Sequence, residues 1–124
     1  MPTLRISAGP VTLTAELNDS PTAQLLWDAL PMDGSANRWG DEIYFAIPID
    51  TEGDRGACAE VEVGEIAFWP PGNAFCIFWG PTPASSGSQP MAASPVNVLG
   101  KVEGDATQLG RVASGARVRL EREA

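Results

Sequence analysis

The chain has 124 residues, 44% of them apolar, a net charge of −8 and no histidine. That length suits one domain over residues 1–124 with one core, and the missing imidazole excludes Ser-His-Asp triads, Cys-His dyads and histidine metal sites. Residues 1–99 hold only Arg5, Arg38 and Arg55 against twelve carboxylates, a surface that repels a phosphate backbone, so no nucleic acid partner is expected.

The first element, "TLRISAGPVTLTAEL", predicts a hairpin. Leu4 and Ile6, then Val11, Leu13, Ala15 and Leu17, alternate with polar residues at the period of a half-buried strand pair. "NDSPTAQLLWDALP" switches period. Ser20 is suited to cap a helix and Pro21 to open it. Ala23, Leu26, Trp27 and Leu30 then mark one helical face, and Pro31 ends it.

Residues 32–42, "MDGSANRWGDE", are rich in turn formers and predict a loop. "IYFAIPI", residues 43–49, reads as a strand buried on both faces. "DTEGDRG" reads as a solvated turn. Its alternate acids echo a calcium loop, but Arg55 and Val61 stand where glycine and glutamate are needed. "AEVEVGEIAFW" predicts one or two strands, with Glu60 and Glu62 outward and Val61 and Val63 inward. "AFCIFWG" predicts another. Residues 82–95 are Pro-, Ser- and Ala-rich and read as a lid or a plain excursion. "VNVLGKV" is a strand, "GDATQLGRV" a capped turn or short helix, and "ARVRLE" a last strand with Ala116, Val118 and Leu120 inward. The fold class is therefore mainly β, a closed barrel of about eight strands with one or two short helices, since closure removes exposed edges.

Cys58 and Cys76 are not in CxxC spacing, fit a reducing compartment, and fall short of a usual four-ligand zinc set. No metal and no cofactor is expected. No apolar run is long enough to span a membrane, and the N-terminus lacks the apolar core of a secretory signal. A cytoplasmic chain without membrane contact is the expectation.

The segment "VGEIAFWPPGNAFCIFWGPTP", preceded by "GDEIYFAIPI" and followed by "SPVNVLGKV", resembles the small prokaryotic cyclophilin-like proteins. The resemblance covers most of the chain and implies a cyclophilin-type barrel. It does not imply an isomerase. Where cyclophilins carry a catalytic arginine strand, this chain has "IYFAIP", with Ala46 or Phe45 at the arginine position. Ala74 stands for a glutamine, Cys76 for a pocket phenylalanine, and the late histidine has no counterpart.

The resemblance places Phe75, Ile77 and Trp79 in the core and Ala74, Cys76 and Phe78 on the opposite, pocket side. The expected binding groove comprises Tyr44, Trp69, Cys76 and Phe78, with Arg38, Glu42 and Asn73 as polar contacts and Trp39 at the rim. Apolar walls with few polar groups suit a small molecule or a proline-containing peptide. Two alternatives stay open. One is a divergent prolyl isomerase that recruits Arg38; the other is an interaction module that docks a partner through residues 82–95. Asn73 also fits a plain turn, and Cys76 a small buried hydrophobe.

Overall fold

The computed structural model describes residues 2–51 and 56–123. The hairpin forms as its alternation predicts. Strands β1 (Thr3–Ala8) and β2 (Val11–Leu17) pair antiparallel, with Ile6 opposite Leu13. Helix α1 (Pro21–Ala29) begins where Ser20 accepts a hydrogen bond from the Ala23 N–H and Pro21 supplies the first turn. Ala23, Leu26 and Leu30 are buried and Trp27 is half-buried. Each fully buried leucine of this kind contributes about 1.5–3 kcal/mol.

The loop expected at 32–42 is instead two strands, β3 (Met32–Ser35) and β4 (Asn37–Arg38). Turn-forming residues yield here to ladder partners. β3 pairs with β10 (Arg117–Arg122), and β4 pairs with β5 (Glu42–Ala46). Gly34 is needed in β3 because a Cβ there would lie 2.5 Å from the Phe45 ring.

The remaining strands are β6 (Cys58–Glu60), β7 (Glu65–Trp69), β8 (Ala74–Phe78) and β9 (Met91–Glu103). The hydrogen-bonded order is β3-β10-β1-β2-β9-β7-β8-β5-β4, with β6 attached to β9. The chain is mainly β, and the sheet is not closed by hydrogen bonds: among the described residues no ladder joins the two ends of the path. The ends are β3 and β4, consecutive in the chain and separated only by Ala36. The segment changes partner there, from β10 to β5, and one connecting residue is too short for β3 and β4 to fold back on each other. Ala36 is buried, its N–H donating to the Ala116 carbonyl at 2.8 Å and its carbonyl accepting from the Gly115 N–H at 2.7 Å.

Three other expectations shift. The strand expected over 43–49 stops at Ala46, although Ile47 and Ile49 are still buried around the exposed Pro48. Proline has no N–H to extend a ladder. Val63, expected inward, is 45% exposed, because β6 ends at Glu60 and a turn closed by the Glu65 N–H on the Glu62 carbonyl resets the alternation. β9 starts at Met91, before the expected residue 96. The solvated turn and the rejected calcium loop at 50–56 fall largely on residues 52–55, outside the described residues. Short 3-10 helices at Pro70–Gly72 and Ala106–Arg111 complete the order, the second capped by Asp105. Among the described residues no helix is long and apolar enough to cross a membrane.

Alternation along β5, β7 and β8 sorts side chains to two faces. Ile43, Phe45, Ile66, Phe68, Phe75 and Ile77 join the main core with Trp79. Ala67, Ala74, Cys76 and Phe78 lie in a second apolar layer on the opposite face, with Val61, Ala92 and Val96.

Candidate functional site

Cross-strand pairs explain why the second layer contains a cavity. On the core face large side chains meet large ones: Ile43 opposite Ile77, Phe45 opposite Phe75, Phe68 opposite Phe75. On the opposite face large meets small, Tyr44 facing Cys76 and Trp69 facing Ala74, or small meets small, Ala67 facing Cys76. The middle of that face is therefore sunken, and Tyr44 and Trp69 flank it.

The segment from Thr82 into β9 lies on this side. The Thr82 hydroxyl donates to the Met91 carbonyl, and the Gln89 amide to the Val61 carbonyl. Ala92 and Val96 are buried in the layer. So the stretch read as a lid or excursion is tied at both of its ends, while residues 86–89 between them are exposed.

What is left between sheet and cover is a cavity of about 240 Å³. Trp39, Glu42, Tyr44, Trp69 and Cys76 line it from the sheet side, and Ala92, Ala93 and Val96 from the cover. Four of the seven expected site residues thus converge: Glu42, Tyr44, Trp69 and Cys76. Three do not.

Arg38 is the first of these. Its partner across the ladder is Ile43, a core residue, so its neighbour Trp39 takes the cavity side. The Arg38 guanidinium is held elsewhere. It donates to the Gly40 carbonyl at 2.8 Å, to Gly110 at 3.0 Å and to Val112 at 3.2 Å, pairs with Asp41 at 3.4 Å, and sits 4.9 Å from the Trp79 ring centre. Asn73 is the second. It closes the turn after Pro70-Pro71-Gly72 in the left-handed region at φ 47°, its N–H on the Pro70 carbonyl and its carbonyl accepting from Ile47. Phe78, the third, is fully buried within the layer and does not reach the cavity.

The Pro-Pro-Gly turn has a further consequence for the wall. A Cβ on Gly72 would lie 2.6 Å from the Trp69 ring, so glycine lets the indole pack against the turn. The indole N–H then donates to the Ser94 hydroxyl at 2.7 Å, linking wall to cover.

Glu42 is the polar feature of the cavity. It is 5% exposed. Burial pushes its carboxyl up to about 7, opposed by the neighbouring Cys76 thiol, and no cation enters the balance; the thiol's own donor contact is to the Ala74 carbonyl at 3.9 Å. Burial also pushes the Cys76 thiol well above its ordinary value, and the Glu42 carboxylate adds to that. Cys76 is therefore an unreactive thiol at neutral pH. Glu42 holds both protonation states near neutrality, so it can donate or accept a hydrogen bond there.

The sequence reading lacked the cover residues Ala92, Ala93 and Val96. The signal available for them was the return of small apolar residues after Pro90. Trp39, expected at a rim, is a wall; strand alternation from Arg38 is the signal that places it.

This is the architecture of a mainly β protein with a small aromatic pocket on one face of its sheet. The chain belongs to the cyclophilin-like family, whose model matches residues 2–121. A hypothetical protein from Archaeoglobus fulgidus, known from its solution structure, is 38% identical, with a TM-score of 0.83 over 98% of this chain and 95% of that one. The structure of McbB in complex with tryptophan aligns at TM-score 0.73 and 18% identity over 98% of this chain, which spans 45% of that one; it shows the fold alone. No protein of curated function matches the sequence.

Proposed function

We propose that this chain is a small-molecule-binding member of the cyclophilin-like family that lacks the standard prolyl isomerase machinery, and that its ligand occupies the cavity beneath residues 82–96. The observation that carries the reading is Glu42, a nearly fully buried carboxyl that lines an aromatic cavity and has no cationic partner among the described residues. Burying such a group against apolar walls is costly unless something hydrogen-bonds or pairs with it. An apolar cavity of about 150 Å³ accepts benzene. The 240 Å³ available here suits one ring with a short polar substituent.

The isomerase reading needs a donor near the substrate amide to stabilise its twisted state. Ala46 and Phe45 provide none, and Arg38 is held by three carbonyls and Asp41 away from the cavity lining.

Titration of the labelled protein with 2-phenylethanol, followed through the indole N–H signals, tests the proposal. Saturable shifts at Trp39 and Trp69, with Trp27 and Trp79 unmoved, are expected. A prolyl-peptide isomerisation assay on the same sample is expected to show the uncatalysed rate. Absence of saturable shifts at Trp39 and Trp69 with this probe and with its amine and carboxylate analogues overturns pocket binding. Acceleration that disappears in Arg38→Ala establishes the isomerase instead.

A further inference from the structure

We propose that the cavity selects a protonated amine on a short apolar or aromatic body, its ammonium paired with Glu42 and facing the rings of Trp39, Tyr44 and Trp69. This deepens the pocket reading above and rests on it.

Three observations point to a cation. The first is the unpaired carboxyl. Glu42 is 5% exposed and lines the cavity without an ion-pair partner among the described residues. A buried carboxylate is stabilised by an opposite charge and penalised without one.

The second is the wall. Trp39, Tyr44 and Trp69 supply three aromatic rings to one small cavity. Ring faces carry negative electrostatic potential and attract ammonium groups, tryptophan most strongly. An anion would meet both these faces and the Glu42 carboxylate. A neutral ligand would gain no charge-assisted contact with either.

The third is the arrangement of the protein's own cations. Arg38 is nearest in sequence to Glu42, yet its guanidinium is engaged by Asp41, by three backbone carbonyls and by the Trp79 ring. Cys76 and Tyr44 are the other titratable groups in the lining, and the cover contributes only Ala92, Ala93 and Val96. Among the described residues no cation complements Glu42, which leaves that charge to the ligand.

Size sets the rest of the class. With about 240 Å³, the cavity takes a single ring and a short aminoalkyl arm rather than a peptide.

Pairing with an ammonium favours ionised Glu42. Below its raised value of about 7, ligand entry must expel the proton, so ligand and proton compete for the same carboxyl. Affinity for the amine should fall about ten-fold between about pH 8 and about pH 6, with one proton released per ligand bound at the lower pH. The amine itself stays protonated across that range.

The test is calorimetric titration of the full chain with three probes of nearly one shape: phenethylamine, neutral 2-phenylethanol and anionic 3-phenylpropionate. Phenethylamine should bind at least about ten-fold more tightly than either of the others at about pH 8. In Glu42→Gln the preference for phenethylamine and its pH dependence should both vanish. The pH dependence and proton release are read on the unaltered protein, so they stand even if the variant folds poorly. Binding of 2-phenylethanol without preference for phenethylamine, or amine affinity independent of pH, overturns the amine class and leaves the pocket reading intact. If none of the three binds, the pocket reading falls, and this inference with it.

Discussion

Strands β5, β7 and β8 have two faces that alternate with the same period and end in different environments. On the core face, Phe45, Phe68 and Phe75 interdigitate with Ile43, Ile66 and Ile77, and no polar side chain interrupts them. On the other face, Ala67, Ala74 and Cys76 stand between Tyr44 and Trp69, and Glu42 sits at the end of the row. Close packing needs complementary volumes. The core face has them and is filled; the opposite face does not and keeps a cavity. Burial is thus common to both layers, and side-chain size across the ladder separates a scaffold from a site.

The sharpest way to break this comparison is to empty the core face. Phe68→Ala, at a fully buried position of the main core, should lose about 3–5 kcal/mol of stability, the transfer and cavity cost of a buried phenylalanine. Denaturant unfolding of the variant reads this directly. A loss no larger than that of a surface substitution would mean the two layers are not packed differently.

Next in size is the carboxyl of the opposite face. Burial raises Glu42 from an ordinary 4.5 to about 7 in the folded chain, so the bound proton favours folding. That stabilisation is complete below pH 4.5, declines as pH rises above it, and is gone once pH passes through about 7. The whole span corresponds to about 3 kcal/mol. Glu42→Gln should remove this dependence and leave the protein more stable than the parent at about pH 8. Urea midpoints of both proteins at about pH 5 and about pH 8 check the sign; a parent that gains stability with pH over this window contradicts it.

A smaller effect separates Arg38 from the site. Arg38→Ala removes donors to the Gly40, Gly110 and Val112 carbonyls and the contact with Trp79. It should cost about 1–3 kcal/mol while leaving 2-phenylethanol affinity unchanged. Lost affinity at full stability would return Arg38 to the pocket.

The smallest is the tie between wall and cover. Ser94→Ala leaves the Trp69 indole N–H without its hydroxyl acceptor, at a cost of about 1 kcal/mol. Faster amide exchange confined to residues 82–96 would accompany it. Uniform exchange across the sheet would show that the hydrogen bond does not hold the cover.

Much of the molecule was legible in its residues. Period-two runs marked the hairpin and β10, because alternation is set within one strand and needs no partner to be seen, and a short apolar run marked β8. Ser20, Pro21 and the spacing of Ala23, Leu26 and Leu30 marked the helix for the same local reason. Sorting Phe75 and Ile77 from Ala74 and Cys76 followed from alternation once one face was assigned. The polar run at 32–38 defeated local reading, since its strands exist through pairing with β10 and β5. So did the start of β9, whose first residues look like loop until β6 lies beside them.

By itself, then, the sequence determined a mainly β chain with one capped helix and an aromatic stretch at 68–79 with two opposed faces. Those are properties of composition and short-range spacing; that the residues of a cyclophilin active site are missing followed from the family resemblance. Tertiary structure alone decided that the sheet path ends at β3 and β4 on either side of Ala36, that Arg38 turns toward Trp79 while Trp39 turns toward Glu42, and that residues 82–96 cover a cavity. Each depends on which distant segments lie side by side and on how their side-chain volumes match, and no single stretch of the chain carries that information.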